Sequence, residues 1–147
     1  MKKIFAVFAL AASVVLVNCA KSDENSVVQI RERMFATQIL HVYQNAPDFI
    51  GKTISYEGAF MRQGEELSPD VVLPANFVIR YLSDECCSGG IIGFEVKMPQ
   101  GGATLFPAHN SWVEAVGVLS VGADSALYLQ LTSLAVLDKR GEEIVRL

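Results

Sequence analysis

The fold is decided by a stretch in which apolar and polar residues alternate, Lys52-Thr53-Ile54-Ser55-Tyr56-Glu57-Gly58-Ala59-Phe60. A period of two is typical of a β-strand with one buried face. Gly58 interrupts the apolar face and indicates a bend or bulge. Residues 61–75 follow as a polar loop, and strand signals then return. We predict further strands at residues 76–82, 91–98, 112–121 and 125–137, with a second bend at Gly117.

Residues before the first strand carry a different period. Apolar side chains recur at helical spacing and predict a helix from about Val27 to Asn45, which Pro47 ends. We therefore expect a mainly β fold with one N-terminal helix and a small five-stranded OB-like barrel, because closure removes exposed strand edges. The alternative is an open five-stranded meander backed by the helix. Residues 138–147 predict a solvated charged tail or a short added strand.

Length and charge narrow the class of protein. The chain has 147 residues and a formal net charge of −4. That length suits one domain. An acidic chain has no basic surface for phosphate backbones, so we expect no nucleic-acid partner.

The N-terminus predicts export and anchoring. Lys2 and Lys3 precede an apolar stretch, residues 4–17, that is interrupted only by Ser13, which is the pattern of a signal peptide. The next stretch, Leu16-Val17-Asn18-Cys19, resembles the lipobox of bacterial lipoproteins, which implies a lipid on Cys19. An ordinary signal peptide cleaved nearby is the alternative. We expect a lipid-anchored protein on the periplasmic or extracytoplasmic side of the bacterial cell envelope.

This reading divides the chain into four segments. Residues 1–18 form the signal peptide, and residues 19–26 form the lipidated cysteine and a polar tether. Residues 27–137 form a single helix-plus-β-barrel domain, and residues 138–147 form the charged C-terminal tail.

A vicinal cysteine pair, Cys86-Cys87, is the least ordinary feature of the predicted domain. Thiolates suit a thiophilic metal ion such as zinc. Two ligands are too few, so Asp84, Glu85, Asp124, His109 or a second protein must complete the coordination. Loops after the second and fourth predicted strands share one end of an up-and-down barrel, which favours Asp124 over His109. We select Cys86, Cys87 and Asp84 as the candidate metal site.

Two other interpretations of the pair stay open. A disulfide between neighbouring residues is strained and redox-active, because adjacent Cα atoms lie closer than an unstrained disulfide prefers. Acidic neighbours raise thiol pKa values and oppose that chemistry. Alternatively, one cysteine is buried as a small hydrophobe and the other is incidental. No catalytic motif is recognisable elsewhere in the sequence, so we do not expect an enzyme.

Several stretches resemble, in order, the C-terminal domain of the YcgQ-type family, an uncharacterised bacterial group associated with a predicted membrane permease. They are Asn45-Ala46-Pro47-Asp48-Phe49-Ile50-Gly51-Lys52-Thr53-Ile54, Glu57-Gly58-Ala59-Phe60, Arg80-Tyr81 followed by Cys86-Cys87, and Trp112-Val113-Glu114-Ala115-Val116-Gly117. The resemblance implies supporting roles for Arg80 and Trp112 and a permease subunit as partner. We expect a lipid-anchored binding or accessory domain; the alternatives are a ligand-free structural or interaction lipoprotein and a thiol-redox protein.

Overall fold

The structure, a computed structural model, describes residues 26–83, 90–98 and 106–147. Nearly half of the described residues lie in strands. Two short strands, β1 (Val28–Gln29) and β9 (Ile144–Val145), lie near its two ends. The remaining elements, in chain order, are a 3-10 helix (Glu32–Met34), α1 (Phe35–Gln44), α2 (Ala46–Phe49), β2 (Thr53–Met61), β3 (Glu66–Ser68), β4 (Val71–Val72), β5 (Phe77–Leu82), β6 (Ile91–Lys97), β7 (Ser111–Val121) and β8 (Leu127–Val136).

Five strands close into a barrel. Their order around it is β2-β7-β8-β6-β5, and β5 returns to pair with β2. All neighbours are antiparallel except β6 and β8, which run parallel. A closed five-stranded barrel of this kind is OB-like. The predicted barrel is confirmed, and its five strands match the five predicted stretches to within two residues at each end.

The predicted N-terminal helix is wrong. Helical structure begins only at Glu32, whereas Val28 and Gln29 form β1. The helix α1 ends at Gln44, and Pro47 lies in the first turn of the short helix α2. The strand β1 pairs in parallel with Ile54 and Ser55 of β2. The physical reason is the open edge of β2, whose backbone groups need partners and outweigh the local helical period.

The barrel has an apolar interior, and α1 covers one part of it. Four α1 residues are buried in that core: Phe35, Ala36, Ile39 and Val42. A second, smaller cluster lies outside the barrel, where Leu73 packs with Met61, Ile79 and Trp112. This second cluster supports the hairpin of β3 and β4, which the sequence predicts only as a polar loop.

Both glycine positions lie where backbones meet closely. The β7–β8 register shifts between Val116 and Gly117, so the predicted bend at Gly117 is a β-bulge. At Gly58, a Cβ atom would lie 2.7 Å from the carbonyl oxygen of Ile79 on β5. Only glycine fits at this position without displacing backbone, because the pairing of β2 with β5 begins at the next residue.

Candidate functional site

One edge of β2 is shared between two partners and has a gap between them. Ile54 and Ser55 pair with β1, and residues 59–61 pair with β5. Glu57 lies between these two segments. Its carbonyl oxygen accepts a hydrogen bond of 2.9 Å from Nε of Arg80, a residue on β5 just beyond the paired segment. The Arg80 side chain therefore bridges the gap at Glu57, between the part of β2 that pairs with β1 and the part that pairs with β5. We call this gap the seam.

The guanidinium of Arg80 makes further contacts at this seam. Its Nη1 donates to the carbonyl oxygen of Glu142 at 2.9 Å and lies 3.8 Å from Oε1 of Glu32. Its central carbon lies 4.4 Å from the centroid of the Phe35 ring and 5.1 Å from that of Trp112. Arg80 is 2% exposed. Two carbonyls, a carboxylate and two aromatic faces thus surround a buried cation.

Burial and the nearby carboxylates shift the pKa of Arg80 in opposite directions. Loss of solvent lowers the pKa of Arg80, and the negative charges of Glu32, Glu57 and Glu142 oppose that change. A guanidinium stays protonated in proteins. We therefore interpret Arg80 as a permanent positive charge within the fold.

The C-terminal segment lies alongside β5 and contacts the residues around Arg80. The backbone N–H of Glu142 donates to Oε1 of Glu32 at 2.5 Å, next to the Arg80 contact. Beyond it, β9 pairs in parallel with Tyr81 and Leu82 of β5. Residues 138–147, for which the sequence allows a tail or a strand, therefore include a short strand.

Trp112 belongs to the same arrangement. It is 3% exposed, and its Nε1–H donates to Oε2 of Glu57 at 3.3 Å. The guanidinium carbon of Arg140 lies 5.5 Å from its ring centroid. The structure thus brings together Arg80 and Trp112, the two residues to which the family resemblance assigns supporting roles.

A polar cavity of about 220 Å³ opens beside Arg80. Ser55, Glu57 and Glu114 line it, and the two glutamates face each other across β2 and β7. Like charges directly opposite on neighbouring strands are destabilising. The hydroxyl of Ser55 donates to Glu114 at 3.2 Å, and Trp112 donates to Glu57. Arg31 and Arg80 also line the cavity, so it presents both carboxylates and guanidinium groups to any small polar group that enters it.

The candidate metal ligands Cys86, Cys87 and Asp84 lie outside the described residues, as does Cys19. The structure describes the two strand ends that flank the cysteine segment. The backbone N–H of Leu82 donates to the carbonyl oxygen of Gly90 at 2.8 Å, and that of Ser83 donates to the carbonyl oxygen of Val145 at 2.9 Å. The described ends of β5 and β6 that flank this segment are therefore held by hydrogen bonds.

Glu85 also lies outside the described residues, whereas Asp124 and His109, the other residues considered for coordination, have local partners. Oδ1 of Asp124 accepts from the Ala126 backbone N–H at 3.2 Å, and Nδ1 of His109 accepts from the Arg62 backbone N–H at 3.1 Å. Among the described residues, no three His, Cys, Asp or Glu side chains are grouped to hold a metal ion.

An apolar groove of about 410 Å³ lies between α1 and the β5–β6 pair. Leu40, Tyr43, Leu82 and Ile91 line it, and Gly93 lies at its edge. Sequence reasoning missed Tyr43, whose hydroxyl donates to the Gly93 carbonyl oxygen at 2.7 Å. Burial raises the pKa of Tyr43 to about 12. The face of the second and third strands is the one that OB-folds use for ligands, and here those strands are β5 and β6.

Sequence reasoning also missed Glu32, Glu57 and Glu142. Each is distant from Arg80 in sequence, by 48, 23 and 62 residues respectively. Glu57 and Glu142 accept from Arg80 through backbone carbonyls. A backbone carbonyl is common to all residue types, so no side-chain motif could have revealed these two contacts.

Comparison with known proteins gives one match. The model of a protein family described as "DUF1980 C-terminal domain" matches residues 14–141. No curated protein matches the chain, and no solved structure does. Among the described residues, no helix is long and apolar enough to cross a membrane. Because the matched range covers most of the chain, the protein belongs to the DUF1980 C-terminal domain family.

Proposed function

We propose that this protein is a lipid-anchored accessory domain of the bacterial cell envelope that binds a thiophilic metal ion, such as zinc, through Cys86 and Cys87 and assists a membrane permease. Three features of the sequence support the proposal. They are the lipobox-like stretch that ends at Cys19, the vicinal thiols, and the resemblance to the YcgQ-type, permease-associated group. No enzymatic step is part of the proposal.

The observation that carries the metal-binding part is the hydrogen-bonded base of the cysteine segment. Leu82 and Gly90 are joined at 2.8 Å, and β9 pairs alongside Leu82. Arg80, fixed at the seam by two carbonyls, lies immediately before this base. A binding segment attached at both ends to a rigid sheet loses less conformational entropy on coordination than a free one. The hydrogen-bonded base therefore supports a binding role for the segment that it flanks.

Native mass spectrometry of the full-length protein tests the metal. The protein is purified anaerobically without chelator in three forms: wild type, the Cys86→Ser/Cys87→Ser double variant, and Cys19→Ser. We expect bound zinc in the wild type and in Cys19→Ser, and none in the double variant. The Cys19→Ser control removes a thiol without touching the pair. A wild-type mass that is lower by two hydrogen atoms shows a disulfide instead. Equal zinc in all three forms contradicts the proposal.

The permease requires a separate measurement. The full-length protein is purified from bacterial membranes in mild detergent, and the recovered proteins are identified by mass spectrometry. We expect a multi-span permease in the wild-type sample. Recovery of the wild-type protein without any integral membrane protein contradicts this part of the proposal and leaves the metal result unaffected.

A second candidate is a ligand-free interaction lipoprotein. It is favoured by the local partners of Asp124 and His109, which accept hydrogen bonds from the backbone N–H groups of Ala126 and Arg62. For this candidate the double serine variant keeps its partners and phenotype, and the wild type stays apo and reduced under zinc challenge. The same mass measurement therefore separates the two candidates.

A further inference from the structure

The β3–β4 hairpin projects from the barrel and is almost fully exposed. Among residues 62–72, only Leu67 is partly buried. Val71 and Val72 are 46% and 58% exposed, although valine is an apolar residue that usually packs in cores. In the described part of the chain, β3 and β4 pair only with each other. The outer edge of β4 therefore presents unpaired backbone groups next to two exposed valines.

The base of this hairpin is held firmly. Leu73 is 4% exposed and packs in the second apolar cluster with Met61 and Trp112. The backbone N–H of Gln63 donates to Oδ1 of Asn76 at 2.8 Å, and its side-chain amide donates to the Pro74 carbonyl oxygen at 3.0 Å. An isolated two-stranded hairpin is only marginally stable in water. The packing and hydrogen bonds at its base therefore stabilise the β3–β4 hairpin without a partner.

The charge of the hairpin is negative. Glu65, Glu66 and Asp70 carry exposed carboxylates, and Arg62 carries the single positive charge between residues 62 and 72. The ion pairs in the described residues involve other carboxylates. Two copies of such a hairpin repel each other, so edge pairing between copies of this chain is disfavoured. A basic extended segment is instead attracted by the same charges.

We propose that the β3–β4 hairpin docks an extended, positively charged peptide segment of a partner protein, which pairs with the outer edge of β4. The backbone of the segment completes the ladder of β4, its apolar side chains cover the exposed valine on one face of the hairpin, and its Lys or Arg side chains lie near Glu65, Glu66 and Asp70. This surface goes beyond the metal proposal, because it involves neither the cysteine pair nor the lipid anchor.

The test uses two labelled octapeptides and the full-length protein in mild detergent. In one peptide valine alternates with lysine, and in the other valine alternates with glutamate. We expect fluorescence anisotropy to show binding of the lysine peptide alone, and weaker binding at about 150 mM salt than at about 20 mM, because screening reduces contacts between exposed charges. Equal binding of both peptides, or binding of neither, overturns the proposal.

A matched pair of variants locates the charge effect. Glu65→Gln/Glu66→Gln/Asp70→Asn removes the hairpin carboxylates, and asparagine at residue 70 tolerates its positive φ of 70°. The control, Asp48→Asn/Asp124→Asn/Asp138→Asn, removes the same charge from exposed positions elsewhere. We expect the hairpin variant to bind about tenfold more weakly at low salt and the control to bind within about twofold of wild type. Equal weakening in both variants overturns the proposal.

A second pair of variants tests the apolar contact. Val71→Thr/Val72→Thr removes apolar surface but keeps the β-branched shape that strands favour. The control is Val121→Thr, an equally exposed valine at the end of β7. We expect weaker binding only for the hairpin variant. Hydrogen exchange of wild type with bound peptide should slow at the β4 amides, and slowing confined to another edge overturns the proposal.

Discussion

Replacement of Arg80 by Met tests the structural role of the buried cation. The variant keeps a side chain of similar length but loses both hydrogen bonds to carbonyl oxygens, at 2.9 Å each. Hydrogen bonds to charged groups contribute about 1.5–3 kcal/mol each. Lost contacts with the aromatic faces add about 1 kcal/mol. The desolvation cost of the guanidinium, several kcal/mol, is recovered in the variant.

The two hydrogen bonds and the aromatic contacts together contribute about 4–7 kcal/mol, and recovery of the desolvation cost offsets part of this, so the net expectation is a loss of about 3 kcal/mol in the free energy of unfolding. With a urea slope of about 1.5–2 kcal/mol per molar, the unfolding midpoint falls by about 1.5–2 M. The chain contains a single tryptophan, Trp112, so its fluorescence reports the transition at the seam itself. Arg80→Lys keeps the charge but reaches fewer acceptors, and its midpoint should fall by about half as much.

Arg140→Met is the matched control. Arg140 also lies over the Trp112 ring and also donates to a backbone carbonyl, that of Asn110, but its side chain is 41% exposed. Exposed contacts of this kind contribute at most about 1 kcal/mol. A midpoint change for Arg80→Met that equals that of Arg140→Met, or that is below about 0.5 M, refutes the reasoning.

Hydrogen exchange gives a local measurement of the same prediction. The amides of Tyr81 and Ser83 donate to the carbonyl oxygens of Glu143 and Val145 in the C-terminal segment. Because Arg80 holds this segment through Glu142, both amides should exchange faster in Arg80→Met than its lower global stability alone would cause. Unchanged exchange at these two amides would show that the segment is held without Arg80.

Two further predictions concern the barrel and its groove. Gly58→Ala places a Cβ atom against a backbone carbonyl of β5 and should lower the free energy of unfolding by about 1–3 kcal/mol, whereas Gly90→Ala, where the nearest atom lies at 3.6 Å, should be close to neutral in the same urea titration. Burial raises the pKa of Tyr43 in the folded state from its ordinary value of 10.0 to about 12, so the folded state retains the proton to higher pH and stability falls as the pH rises from about 10 to 12. Tyr43→Phe should make that fall shallower; an equally steep fall excludes Tyr43 as a cause.

The five barrel strands could be predicted because their information is local. Alternation of apolar and polar residues sets which face of each strand is buried, and neither a loop nor a partner is needed to read it. Gly117 was informative for the same reason, since a glycine inside a strand indicates a bulge. The helical period of Phe35, Ile39 and Val42 is present in α1, but the predicted start of the helix at Val27 is wrong, because Val28 and Gln29 form β1.

Three elements could not be read from local sequence. β1 forms because β2 has a free edge, the β3–β4 hairpin forms because Leu73 finds a pocket beside Trp112, and β9 forms beside β5. Each element is two or three residues long, too short to carry a period. Their positions are set by partners elsewhere in the chain.

The sequence by itself determined the five strands of the barrel, the acidic character of the chain and the residues worth testing, because composition and period are properties of neighbouring residues. Only the tertiary structure decided that Arg80 bridges the seam at Glu57. The reason is physical: its partners are a carbonyl 23 residues before it and another 62 residues after it. Such contacts exist only once the barrel has closed, and the backbone groups that make them are the same in every sequence.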